Sequence, residues 1–177
     1  MPTNLTQATH LVELDRLSRT LEANGFEVQL TEASNSEDPH MLFLRIPAER
    51  LGLPTVARFY FSPFEVDELE SVLPLQLLLH FQFEPPARRA ELLELLNLLN
   101  LQLGFGSLML DREDKLCFRH GFSAPRDASQ SLAPLVEALA MVLSVLDAAT
   151  PFLLGLSEGK SVASVRRALE DQINGFS

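Results

Sequence analysis

The sequence predicts an α+β fold: an antiparallel β-sheet with helices packed on it, followed by an extra C-terminal helical segment. Three observations carry this expectation. Between Leu75 and Phe83 the residues Leu75, Leu77, Leu79, Phe81 and Phe83 alternate with Gln76, Leu78, His80 and Gln82, the period-two pattern of a strand. Strand-like runs follow one another through short turns, which favours antiparallel pairing. Leucine stripes at helical spacing occur before and after those runs.

The first helix is expected over Thr9–Asn24, where Leu11, Leu14, Leu17, Ser18 and Leu21 share a face and Gly25 supplies a left-handed stop. Strands follow at Phe26–Leu30, Met41–Ile46 and Val56–Phe61, the last rich in branched and aromatic residues. Pro63–Pro74 is acidic and has room for a short helical turn. Pro85 and Pro86 end the long strand and open a leucine-dense helix, Ala87–Leu101, whose apolar residues exceed one stripe and predict cover on two sides. Asn97 and Asn100 interrupt it on one face, where a structural role is favoured over ligand contact.

Ser107–Leu110 and Lys115–Phe122 then read as a hairpin around Asp111-Arg112-Glu113-Asp114. Leu132–Leu146 reads as a buried helix, interrupted by charge and too short to span a bilayer. Pro151 is expected to break or kink the chain. A last helix begins at the cap Ser161 and carries one narrow stripe, Val162, Val165, Leu169 and Ile173.

The 177 residues are 46% hydrophobic and 21% charged, with a formal net charge of −10. These values fit a globular chain with a core of its own. The negative balance disfavours direct nucleic-acid binding and favours partners with Lys/Arg-rich parts, nucleic-acid-binding proteins included. One cysteine, Cys117, forms no internal disulfide, and the first ten residues lack a signal-peptide pattern, so a cytoplasmic location is expected.

Catalytic patterns are scarce in the sequence. There is no phosphate-cradling Gly-rich loop and no nucleophile elbow. Cys117, His120 and His80 could approach one another on neighbouring strands. Cys117 and His120, three positions apart on one strand, face opposite sides of the sheet, so a shared metal or a thiol–imidazole pair is disfavoured. The turn at Asp111 lacks the spaced oxygen ligands of a calcium loop. No catalytic residue, metal or cofactor is therefore assigned.

Two apolar features point to binding instead. Met41 and Phe43 share one strand face, and Leu78 lies opposite the main apolar face of its own strand. If these positions align, the sheet is apolar on both sides, covered either by helices on both or by a dimer mate or client on one. The stripe Val162, Val165, Leu169 and Ile173 must also bury, on its own domain, across a dimer, or in a client.

The element order resembles the YbjN family and the specialised chaperones of type III secretion, which share that fold. The residues that carry the likeness are Leu92 to Asn100, Ser107 to Asp111 and Lys115 to Arg119: a leucine-rich helix ending in asparagine, then a hairpin with an acidic turn. The likeness covers residues 5 to 147 and implies no enzymatic activity. It implies homodimers, protein clients and a link to regulation or stress responses. The expected organisation is thus a domain over 1–147 with a helical extension over 148–177. The expected function is a chaperone-like adaptor, with a small-ligand sensory module as the alternative and an enzyme as a distant third.

Overall fold

In the computed structural model the chain begins with helix α1 (Asn4–Ala23) and continues through β1 (Glu27–Thr31), β2 (Met41–Ile46), β3 (Thr55–Phe61) and β4 (Val72–Phe81). Helix α2 (Arg89–Asn100) precedes β5 (Ser107–Leu110) and β6 (Leu116–Pro125), and α3 (Ala133–Ser157) and α4 (Val162–Gly175) follow. The structure describes residues 4–35, 38–47, 51–53, 55–62, 71–82, 89–127 and 129–175. Outside them lie the acidic segment up to Glu70, Phe83, the Pro85-Pro86 pair and the side chain of Ile173.

The strands form one six-stranded sheet in the order β1-β2-β3-β4-β6-β5. Every pair is antiparallel, as the strand runs predict. Alternation then divides each strand between two faces. Leu42, Leu44, Phe59, Leu75, Leu77, Leu79 and Phe118 are sealed on one of them, in a single core with Leu14, Leu17 and Leu21 of α1 and the leucines of α2 and α3.

β4 begins three residues earlier than the alternation suggests and includes Pro74, although it pairs on both sides. The missing N–H is tolerated because it falls beyond the last rung of β3, where Ser62 N–H donates to the Pro74 carbonyl (2.9 Å). α1 stops as expected: Gly25 takes φ +83°, and the N–H groups of Gly25 and Phe26 bond back to Glu22 and Leu21.

Pro151 does not break the chain. α3 runs unbroken through it, so the 147/148 boundary falls inside a helix. Proline removes the N–H that Asp147 would accept, and both residues are exposed, so water can take that place. With 25 residues and a mean hydropathy of 1.9 in its most apolar window, α3 is long and apolar enough to cross a membrane, unlike the shorter stretch read from sequence. Half of that window is buried, and Leu139, Val142, Leu143, Leu146 and Leu153 form the centre of the core.

α2 departs from its expected two-sided cover. Leu92, Leu95, Leu96 and Leu99 are buried, whereas Leu93 and Leu101 are exposed. α4 packs on α3 and α2 of the same chain. Val165 meets Gly155 of α3, and Arg166 pairs with Glu94 of α2 (3.2 Å). Val162, Val165 and Leu169 are buried there, each contributing about 1.5–3 kcal/mol before ordering costs. Of the three places open to the stripe, these residues take the first, their own domain, and so are not offered as a partner surface.

Candidate functional site

The sheet face turned away from the core carries no described helix. Met41 and Phe43 of β2, Arg58 and Tyr60 of β3, and Gln76, Leu78 and His80 of β4 are all half-buried on it. Register aligns them into rows. Phe43 faces Arg58, Arg58 faces Leu78, and Leu78 faces Arg119 of β6. The adjacent row runs Val56, His80, Cys117 and Met109. The expected alignment of Met41, Phe43 and Leu78 is therefore present, with an arginine between Phe43 and Leu78 that sequence reasoning missed.

The two arginines differ in their bonding. Arg119 Nε donates to Gln76 Oε1 (3.0 Å). Arg58 Nε is buried with no hydrogen-bond partner among the described residues. Phe43 and Leu78 flank Arg58 in its row, and Arg58 reaches, with His80 of β4, a cleft of about 600 Å³. Arg58, His80, Phe81, Gln82, Asp111, Glu113 and Lys115 line that cleft.

The β5–β6 turn forms the far wall of the cleft. Asp111 Oδ1 accepts from the N–H groups of Glu113 (2.8 Å) and Lys115 (2.9 Å), and Asp114 takes φ +61°. This is an Asx-type turn, with aspartate tolerating the left-handed region. Burial works to raise the Asp111 pKa, but those backbone donors, His80 and Lys115 outweigh it and hold the carboxyl below its ordinary value. Lys115 pairs with Glu113 (2.5 Å), and Arg89 of α2 pairs with Asp114.

His80 Nε2 stands 3.5 Å from Asp111 Oδ2. Burial first, and the Arg58 cation second, lower its pKa from 6.5 despite that carboxylate, so the ring is neutral at pH 7. Cys117 is its direct cross-strand neighbour, but the thiol is buried, points to the Met109 carbonyl (3.6 Å), and is pushed up to about 11 by burial and then by Asp111. His120 lies on the core face, edge-on to Phe122 (4.6 Å), and does not join them. Among the described residues no three His, Cys, Asp or Glu side chains converge on a metal position.

The asparagines separate as well. Asn97 is exposed. Asn100 donates through Nδ2 to the Leu108 carbonyl (2.9 Å) and accepts through Oδ1 from the Leu108 N–H (2.7 Å). One amide thus imitates a neighbouring strand along the outer edge of β5.

The arrangement defines a class: an α+β protein whose antiparallel sheet is covered by described helices on one side and presents a mixed apolar and cationic surface on the other. The chain belongs to the YbjN family. Residues 52–154, from just before β3 into the last turn of α3, match the model described as "Putative bacterial sensory transduction regulator". No curated protein matches the chain.

Proposed function

We propose that this chain is a non-enzymatic, chaperone-like adaptor of the cytoplasm. It holds a segment of a protein client against the open sheet face, works as a homodimer, and serves a regulatory or stress response. The observation that carries this reading is the aligned surface of Met41, Phe43, Tyr60 and Leu78, held half-exposed on rigid strands. Such pre-ordered apolar area lowers the ordering cost of binding. A protonated buried thiol beside a neutral, singly placed histidine supports the non-enzymatic part. The net charge of −10 favours clients with basic parts at the surface at large, and disfavours direct contact with nucleic acid.

A photo-crosslinking amino acid in place of Leu78 should capture a discrete protein adduct in cells, and one in place of the exposed Met141 of α3 should not. No adduct at position 78, or equal adducts at both positions, overturns the proposal. Light scattering of the full chain beside a truncation after Glu158 tests the dimer and the role of α4. The cut belongs there because one after Asp147 would remove Ala149, Phe152, Leu153 and Leu156 from the core.

The cleft favours a second reading, a sensory module for a small ligand, because about 600 Å³ lies in the range of small-molecule sites. A saturable thermal shift with a metabolite, and no adduct at position 78, would select it.

A further inference from the structure

We infer that the open sheet face takes an acidic segment of a partner protein, with carboxylates seated on Arg58 and Arg119 and an apolar side chain on Leu78 between them. This deepens the adaptor reading and rests on it, and it reverses the basic-client expectation for this one face.

The first ground is local charge. The chain as a whole carries −10, yet the central row of the open face places Arg58 and Arg119 on either side of Leu78. Neither forms an ion pair with a described residue. Glu27 on β1 is already matched by Arg45 of β2 (3.2 Å), and Glu113 by Lys115. Asp111, which lines the same cleft as Arg58, is held by the N–H groups of Glu113 and Lys115 and stands beside His80, so these three carboxylates are committed, and the two central guanidinium groups have no ion-pair partner among the described residues.

The second ground is the Arg58 Nε, a buried donor with no acceptor among the described residues. A buried donor is stabilised by an acceptor brought to it, and guanidinium presents its donors as a fork that fits a carboxylate. A carboxylate arriving over Phe43 and Leu78 would supply that acceptor in partly desolvated surroundings, where charge-assisted bonds are strongest.

The third ground is spacing. Neighbouring strands lie about 4.8 Å apart, so two strand steps separate Arg58 from Arg119 by about 10 Å. Carboxylates four residues apart on an extended segment share one face and stand about 13 Å apart, within reach of the two long arginine side chains. The apolar residue midway between them shares that face and falls over Leu78.

The test uses the full chain and a short fluorescein-labelled peptide of Glu-Leu-Ser-Glu repeats, with Gln-Leu-Ser-Gln and Lys-Leu-Ser-Lys counterparts, read by fluorescence anisotropy. The acidic peptide should bind saturably, with the glutamine version weaker by about tenfold or more and the lysine version not binding. Arg58→Gln and Arg119→Gln should each weaken the acidic peptide by about tenfold while leaving the melting temperature unchanged. Equal binding of the glutamine peptide, stronger binding of the lysine peptide, unaffected binding by both variants, or no binding of any peptide overturns the inference. So does a dimer that dissociates on Arg58→Gln, since the occupant is then a second copy. An adduct at position 78 with no acidic-peptide binding leaves the adaptor reading standing and removes only the acidic partner.

Discussion

On the helix-covered face β4 presents Leu73, Leu75, Leu77, Leu79 and Phe81, all sealed; on the opposite face the same strand presents Val72, Pro74, Gln76, Leu78 and His80, all half-buried. Two surfaces are thus written into one ten-residue segment by alternation alone. The covered face of β4 is wholly apolar, which excludes water from one continuous core. The open face mixes leucine, methionine and aromatic side chains with arginine, glutamine and histidine, which suits a surface that must stay hydrated until something meets it. A parallel contrast separates the sheet edges: Asn100 occupies the outer edge of β5.

Neighbouring leucines give the largest test of that division. Leu77 is 0% exposed, so Leu77→Ala should cost about 2–5 kcal/mol through lost burial and an unfilled cavity. Leu78, next in the chain but on the half-buried face, should cost less than about 1.5 kcal/mol on the same change. Urea melts of both variants measure the difference. Similar losses would mean that the open face is packed as tightly as the core.

Asn100→Ala should have a smaller effect, about 1–2 kcal/mol, because it removes two hydrogen bonds whose backbone groups at the sheet edge can turn to water. The same variant should scatter more light at high protein concentration, since an uncapped edge pairs with other edges. An unchanged melt and unchanged scattering would reduce the Asn100 clamp to an incidental contact.

Much of this arrangement was legible in the residues. The alternation in β4 and β6 placed Leu75 to Phe81 and Leu116 to Phe122 on one face, because period two is geometrically unambiguous once a strand is assumed. Pro151 was expected to break or kink the chain; it does not break it, because Asp147, whose carbonyl loses its donor, is an exposed residue within reach of water. The fate of Val162, Val165 and Leu169 was open because a stripe states that it must bury and not against what. Arg58 and Arg119 were missed for a similar reason. A charged residue flanked by Ala57 and Phe59, or by Phe118 and His120, does mark an uncovered strand face, but only register shows that the two lie in one row.

The histidines carry the same division between faces into pH dependence. His120 is lowered by burial among Phe105 and Phe122 on the core face, and His80 by burial and then Arg58 on the open one. In both cases the unfolded chain binds a proton more readily than the folded one, so stability rises with pH where the two states differ. The contribution is fully present above the unfolded value of about 6.5 and is lost as pH falls through the lower folded values. The melting temperature should therefore drop between about pH 7 and pH 5, and His120→Gln should flatten that drop. His80→Gln should flatten it less if a carboxylate ligand occupies Arg58, because neutralising that cation removes one of the causes that lowers His80. Melting curves across pH, with and without the acidic peptide, read this directly. A His80 contribution that does not change when the peptide saturates the protein would place the peptide's carboxylates away from Arg58.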